Sequence, residues 1–356
     1  MNRPFRIFIA CAALVSGVPA QAAPDHVDIT WMSIANMYFD VGGQKIVADG
    51  YITRLPQEIF YSGASGFGKT QRAAHPDVAA VKEVLDALGG KPAVKLLLTG
   101  HNHWDHSFDT GTWAMLSGAR IIGAPTACLQ TRAQGIPARR CKAVLGGESL
   151  ELEHGVHMYV VRWNHSGGPA LNPELHEPRE LDEPPVADAS GALRAGVLED
   201  FPNGGGNRAY LFTVDGPRGR FSWFFQDSGS AIDLGEPVVV AGKNYGAPLD
   251  NLRAAMKAAG VDSVDLWIAT GGRDMAALVL PVLKPAAYLP VHWDGLFDKF
   301  KAGPPQPYRD PELAALLDGA GVRLIPPAQY MDKWRLDAAG IHAVDNSAVK
   351  RKLGFN

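Results

Sequence analysis

Three histidines and an aspartate fall within six consecutive positions, His101-Asn102-His103-Trp104-Asp105-His106. No other segment constrains the chain as strongly. The run follows Val94 to Thr99, an apolar stretch that reads as a buried strand, so the four side chains occupy a compact turn after a strand. Imidazole and carboxylate suit Zn²⁺ and similar borderline cations. One tetrahedral ion cannot use all four groups and keep a position open for water, whereas two ions can. The competing reading is a chance cluster on a loop, and 11 histidines among 356 residues make it a poor one.

Further ligand-type residues recur in one context. Tyr159 to Asn164 leads to His165, Phe221 to Gln226 leads to Asp227, and Ala287 to Val291 leads to His292. Each is a lone polar residue where an apolar strand stops, and sites in open α/β sheets collect at the carboxyl ends of strands. Taken singly, His165 or His292 reads equally well as a satisfied structural histidine. Together with the 101–106 cluster they read as one centre.

The pattern His101-x-His103-x-Asp105-His106, followed after 59 residues by His165, after 62 more by Asp227 and after 65 more by His292, resembles the metallo-β-lactamase superfamily over about residues 27 to 330. The resemblance implies an α/β fold, an αββα sandwich of two mixed sheets with helices outside and two metal ions at one edge. It implies that His101, His103 and His165 bind the first ion, that Asp105, His106 and His292 bind the second, and that Asp227 bridges both. Two Zn²⁺ per chain are expected, with iron or manganese compatible with the same ligands. Water on such ions ionises near neutral pH, so the implied activity is hydrolysis of a small ester, lactone, amide or phosphodiester, with Asp105 or Asp227 accepting or relaying a proton. Asp227 stands where antibiotic-degrading branches typically carry Cys or Ser. Trp31 and Gly123-Ala124-Pro125-Thr126 are similar in style to the lactonase and phosphodiesterase branch, although Ser33-Ile34-Ala35-Asn36 replaces that branch's Gly-His-Ala-Thr run. A β-lactamase is the enzymatic alternative. A metal- or ligand-binding protein that has lost turnover is the non-enzymatic one.

The N-terminus reads as an address. Arg3 and Arg6 precede the apolar run Ile7 to Val18, and Ala20-Gln21-Ala22 supplies a small-x-small site, the layout of a cleavable signal peptide and too short for an ordinary membrane span. Cleavage after Ala22 or Ala23 sends the chain to the periplasm or exterior. A retained anchor and lipidation at Cys11 are the alternatives. Loss of residues 1–22 moves the net charge from −3 to −5, which gives no electrostatic reason to expect nucleic acid as a partner. A small-molecule substrate is the expected partner, with no stable membrane insertion after cleavage. Export permits a disulfide between Cys128 and Cys141 without requiring one.

The remainder, residues 23–356, reads as a single α/β domain. Ile29 to Val41 and Gln44 to Ala48 form a hairpin about Gly42-Gly43, and Ala209 to Val214 pairs with Phe221 to Gln226. Helices are expected over Asp77 to Leu88, Thr110 to Leu116, Leu249 to Ala259, Met275 to Leu283 and Glu312 to Leu317. Strands are expected over Arg120 to Gly123, Leu266 to Thr270 and Val322 to Ile325. Glu58 to Tyr61 is a short apolar stretch. Ser166 to Gly206 has no period and reads as a functional loop or lid. Lys350-Arg351-Lys352 reads as a solvated tail. Gly63 to Thr70 matches the phosphate-cradling pattern G-x-x-x-x-G-K-[ST], but Pro76 falls where the required helix interior would be, so a loop bordering the site is the better reading. His154, His157 and His176 read as surface or structural histidines. Trp104, Trp293 and Tyr245 are candidates for lining the site, and Asp294 for orienting a ligand imidazole.

Overall fold

The computed structural model describes residues 23–60, 73–153, 155–165, 178–194, 196, 201–229 and 233–355. The signal-like N-terminus, the Gly63 to Thr70 loop, His154, His176 and much of 166–206 lie outside these residues. Among the described residues, no helix is long and apolar enough to cross a membrane.

The first sheet contains β1 (His26–Ser33), β2 (Asn36–Val41), β3 (Gln44–Ala48), β4 (Leu96–Leu98), β5 (Arg120–Gly123) and β6 (Cys141–Ala143). The second begins with β7 (Ser149–Glu153), β8 (Val156–Arg162), β9 (Arg208–Gly216) and β10 (Gly219–Gln226). A small ribbon, β11 (Val239–Val240) with β12 (Lys243–Asn244), stands apart. The second sheet resumes with β13 (Val264–Ala269), β14 (Pro285–Pro290) and β15 (Arg323–Leu324), and β16 (Asp332–Asp337) with β17 (Gly340–Val344) returns to the first. The orders are β17-β16-β1-β2-β3-β4-β5-β6 and β15-β14-β13-β10-β9-β8-β7. Both sheets are mixed. In the first, β3 to β6 run parallel, and in the second, β10 and β13 to β15 do.

Side-chain alternation builds two buried layers from one sheet. Along β9, Tyr210, Phe212 and Val214 join the core between the sheets, while Ala209 and Leu211 join the layer under the helices. β10 repeats the division, with Phe221, Trp223 and Phe225 inward and Phe224 outward. Phe212 and Trp223 are cross-strand partners whose rings stack at 4.5 Å. Truncating Trp223 to Ala would cost about 3–5 kcal/mol, mostly from the cavity left behind.

Helices cover the sheets: α1 (Val78–Ala87), the short α2 (Trp104–Ser107), α3 (Thr110–Ser117) and α4 (Pro125–Ala133) come from the first half. From the second half come α5 (Pro248–Ala259), α6 (Arg273–Leu283), α7 (Pro311–Gly319) and α8 (Ser347–Lys352). Their ends follow the local chemistry. Asp77 and Asp310 cap α1 and α7 by accepting from Ala80 N and Leu313 N, each at 2.9 Å. Gly118 and Gly260 close α3 and α5 in the left-handed conformation. The architecture is the αββα sandwich expected from the sequence.

Four expectations need correction. Ile29 to Val41 is two strands, because the chain reverses at Ile34-Ala35 without the Gly or Pro that would have marked a turn. Glu58 to Tyr61 contributes to a short 3₁₀ turn, Gln57–Ile59. The Lys350 to Lys352 segment is helical rather than a free tail. Lys350 pairs with Asp332 at 2.5 Å, and Leu353 and Phe355 are buried in the core. The hairpin β16–β17, where no strands were expected, completes the first sheet beyond the reach of the resemblance at residue 330. Cys128 and Cys141 form a disulfide.

Candidate metal centre

β4 is a run of three buried leucines, and the chain leaves it through Thr99-Gly100 into the 101–106 turn. Position 100 has room only for glycine, because a β-carbon there would collide with the Asp227 carboxylate. The Gly100 N–H donates to Asp49 Oδ1 at 3.0 Å, and its carbonyl accepts from Arg208 N at 2.8 Å. His101 and His103 precede α2, whose single turn carries Asp105 and His106. His165 follows β8, Asp227 follows β10 and His292 follows β14 through Val291. All seven residues proposed from the sequence meet at one edge of the sandwich.

They assemble as overlapping triads, His101/His103/His165, His101/His106/Asp227 and Asp105/His106/His292. In the last, Asp105 Oδ2 is 2.9 Å from His292 Nε2 and 3.3 Å from His106 Nε2, and the two imidazole nitrogens are 3.2 Å apart. Ligands on a tetrahedral Zn²⁺ with bonds near 2.0–2.1 Å stand about 3.3 Å from one another. Three donors at that mutual spacing fit one ion. In the first triad, His101 Nε2 and His103 Nδ1 are 3.2 Å apart, and the His165 ring centroid lies 4.9 Å and 4.6 Å from those of His101 and His103. The donor chemistry fits a second ion there.

Asp227 occupies a different position from the one implied by a purely bridging role. Its Oδ2 lies 2.8 Å from His101 Nδ1 and 3.4 Å from His106 Nδ1, on the opposite ring edge from the nitrogens that face the other ligands.

The non-coordinating ring nitrogens are held. His103 Nε2 donates to the Phe201 carbonyl at 3.2 Å, which leaves Nδ1 as the metal-facing atom. His106 Nδ1 lies 2.9 Å from Asp49 Oδ2, which turns Nε2 toward the cluster. Asp49 was absent from the sequence-derived set. It is the polar residue immediately after the apolar strand Gln44 to Ala48, so the rule that found His165, Asp227 and His292 marks it too.

Asp294 does not orient an imidazole directly. Its carboxylate accepts from Ile34 N at 3.0 and 3.1 Å and from Tyr330 Oη at 2.6 Å. Ile34 O in turn accepts from His292 N at 2.9 Å and from Trp31 Nε1 at 2.8 Å. Ile34 and His292 both sit at positive φ, 47° and 66°, conformations that β-branched or bulky residues adopt only when their surroundings hold them. The carboxylate and indole hold the turn, and the turn presents His292.

His101, His103, Asp105, His106 and Asp227 are buried, whereas His165 and His292 are half-buried, so the cluster opens on the side of the latter pair. Burial pushes the His101, His103 and His165 imidazoles well below their usual range, toward the neutral form a metal requires. Burial opposes charge on His106 as well, but Asp105 and Asp49 win and hold it well above the ordinary value. Asp105 is buried yet held well below the carboxylate range by His106 and His292. Burial pushes Asp49 up to about 7, with the Asp227 carboxylate adding to the effect, and Asp227 rises for the same first reason. Three buried carboxylates so close together are what two divalent cations would neutralise.

Of the other residues singled out, Trp104 packs against Tyr51, Phe60 and Phe297 beside the cluster. Trp293 stacks on Trp31. Tyr245 lies over Arg162 instead. His157 is at the start of β8, far along the strand from His165. Gly204 to Gly206, at the end of the 166–206 loop, packs on the metal loop. Gly204 O accepts from Asn102 N at 2.8 Å, and a β-carbon on Gly206 would collide with Glu180.

No protein-family model matches the chain, and a search of curated proteins finds no match. Among solved structures, Igni18, a metallo hydrolase from Ignicoccus hospitalis KIN4/I, is 15% identical at TM-score 0.47, covering 88% of this chain and 99% of its own. An isothiocyanate hydrolase from Delia radicum gut bacteria is 14% identical at TM-score 0.47, covering 86% and 98%. The metallo-β-lactamase fold protein YhfI from Bacillus subtilis is 11% identical at TM-score 0.47, covering 87% and 100%. The chain itself is an αββα sandwich whose strand ends gather the seven histidines and aspartates of the motif that resembles the metallo-β-lactamase superfamily.

Proposed function

We propose that the protein is an exported, metal-dependent hydrolase of the metallo-β-lactamase type, working with two Zn²⁺ ions on a small ester, lactone, amide or phosphodiester. The observation that carries this reading is the mutual spacing of Asp105, His106 and His292 at 2.9 to 3.3 Å beside a second imidazole triad. Divalent ions held there supply Lewis acidity and a nucleophile at neutral pH. The chain does the rest. His101, His103 and His165 define one locus, and Asp105, His106 and His292 the other. Asp49 and the Phe201 carbonyl fix which ring nitrogen of His106 and His103 faces inward. Asp105 would take or pass a proton from among the ligand nitrogens, with Asp227, behind the His101 and His106 rings, as the alternative. The half-buried side at His165 and His292 is where a substrate enters.

The test is a panel of esters, lactones, amides and phosphodiesters with purified protein, with elemental analysis of the same sample. The expected result is about two ions per chain and turnover that chelation abolishes and Zn²⁺ restores. Full activity without metal overturns the reading. Tight metal binding with no turnover of any class makes it a binding protein. Rapid hydrolysis of a chromogenic cephalosporin makes it a β-lactamase, and iron or manganese in the native protein replaces zinc. N-terminal sequencing of exported protein tests the address: an intact Met1 removes the cleaved signal.

A further inference from the structure

We propose that the protein holds a single-chain organic anion, a negative headgroup on an unbranched hydrocarbon of about eight carbons, in a cleft at the end of the sandwich away from the metal cluster. The cleft measures about 230 Å³. Gln44, Leu96, Arg120 and Cys141 line it and are the first residues of β3, β4, β5 and β6. The metal loop follows the last residue of β4, so the two places lie at opposite ends of these strands. β6 and β7 are the terminal strands of their sheets, and residues of both line the cleft.

The floor is apolar and the rim is basic. Leu150 and Leu152 of β7 are half-buried and offer hydrocarbon to the opening, with the more buried Leu96 and Ile122 beside them. Arg120, Arg139 and Lys142 are exposed on the rim, so a ligand reaches their charged ends. None of the three makes an ion pair among the described residues. Arg140 is half-buried and engaged, its Nη2 donating to the Ala114 and Ala119 carbonyls at 2.7 and 2.6 Å. Glu151 is the one acid among the lining residues, and against four cations it leaves three positive charges, on a chain whose net charge is −3. Glu148 and Glu153, the neighbouring acids in sequence, are outside the lining, and Glu148 accepts from Leu145 N and Gly146 N.

The rim is also held in place. Arg139 sits in the 3₁₀ turn Ala138–Arg140. Arg140 ties that turn to the end of α3, and the Cys128–Cys141 disulfide ties the start of β6 to α4. A fixed turn has less freedom to lose on binding. An inorganic anion would answer the rim and leave the leucines in water. A neutral hydrocarbon would cover the leucines and leave the cations without a counter-charge. An anion with a hydrocarbon tail answers both. The cleft has the volume of about eight water molecules at about 30 Å³ each, and a methylene needs nearly the same space.

The experiment titrates sodium octanoate into the metal-loaded full chain and follows calorimetric heat, with sodium butyrate, sodium decanoate, sodium sulfate and neutral hexanol at matched ionic strength. Octanoate is expected to bind saturably and at least about tenfold tighter than butyrate, with decanoate within about twofold of octanoate. Sulfate and hexanol are expected to show no saturable heat. Arg120→Glu with Lys142→Glu, both at exposed positions, is expected to weaken octanoate at least about tenfold while the ion content stays unchanged. Leu150→Trp fills the cleft and is expected to remove the gain from butyrate to octanoate. Undiminished octanoate binding in the doubly substituted chain overturns the site, because the anion then sits elsewhere, the metal cluster included. Equal affinities for butyrate and octanoate overturn the tail, and sulfate binding as tightly as octanoate overturns the amphiphile. Sedimentation with phosphatidylglycerol vesicles in the absence of octanoate binding overturns the free ligand in favour of a membrane surface. None of these readouts uses turnover, so a chain that binds octanoate and hydrolyses nothing refutes the proposed function alone.

Discussion

The two halves of the metal cluster are built from similar ligands but held by different means. In the His101/His103/His165 half, Asp227 holds His101 at Nδ1, and the rest of the fastening comes from backbone carbonyls of one flanking segment. Gly196 O accepts from Trp104 N at 2.7 Å, Gly204 O from Asn102 N at 2.8 Å and Phe201 O from His103 Nε2 at 3.2 Å. The Asp105/His106/His292 half is fastened by buried carboxylates from distant strands, Asp49 on His106 and Asp294 on the turn that carries His292. A carbonyl is present in every residue, so the first half depends on where a loop lies. A carboxylate belongs to one side chain, so the second half depends on what that residue is.

Removing a ligand from each half is the largest perturbation. His165→Ala and His292→Ala are each expected to lower turnover at least about a thousandfold, because in the proposed function two ions act on one reacting centre. Each is also expected to lose about one ion per chain by elemental analysis, leaving the other half loaded. A single substitution that empties both halves would show that they are one cooperative unit and end the comparison.

The next effect falls on the loop that serves the first half. Glu180 accepts from Arg208 and pairs with Arg162, and it is packed on Gly206, next to the Gly204 carbonyl. Glu180→Ala leaves two guanidinium groups unpaired in a buried site, which costs about 3–5 kcal/mol. Denaturant unfolding reads that loss. Hydrogen exchange is expected to show faster opening at Asn102 and Trp104 amides, with His106 and His292 amides unchanged. Equal loosening of both sets would mean that the loop fastens the whole cluster.

Asp49→Asn addresses the second half alone. The amide keeps the shape but loses the charge that favours an Nδ1 proton on His106. Such partners typically change metal affinity about 10- to 100-fold. Competition with a chromophoric chelator is expected to show one weakened ion and one unchanged ion.

This contrast also explains what the sequence disclosed. His101 to His106, His165, Asp227 and His292 were legible because a polar side chain at the end of an apolar strand is conspicuous. Asp49 obeys the same rule after Ala48, and Asp294 was visible as an acid near a ligand, though it reaches His292 through Ile34. The backbone supports of the first half left no mark, because Gly196 and Phe201 act through backbone oxygens. The reversal at Ile34-Ala35 was hidden for a related reason. Its left-handed residue is Ile, held by Asp294 and Trp31 from elsewhere in the chain rather than by local preference. The sheet-completing hairpin β16–β17 was missed because its strands, with alternating charged and apolar residues such as Asp332-Lys333-Trp334-Arg335-Leu336, sit beyond the motif that directed the reading.

The smallest effect checks that the halves respond to their own supports and not to stability in general. Asp310 caps α7 through Leu313 N, on the helical layer that packs on the outer face of the second sheet, and touches neither half of the cluster. Asp310→Ala removes one cap hydrogen bond and costs about 1 kcal/mol, lowering the denaturation midpoint without changing its slope. The affinities of both ions are expected to stay at the wild-type values in the same chelator competition. Metal weakening in this variant would mean that any loss of stability reaches the cluster, and the selective effect of Asp49→Asn could then no longer be credited to its carboxylate. Unchanged affinities leave the local contacts as the cause: a loop's position for one ion, a buried charge for the other.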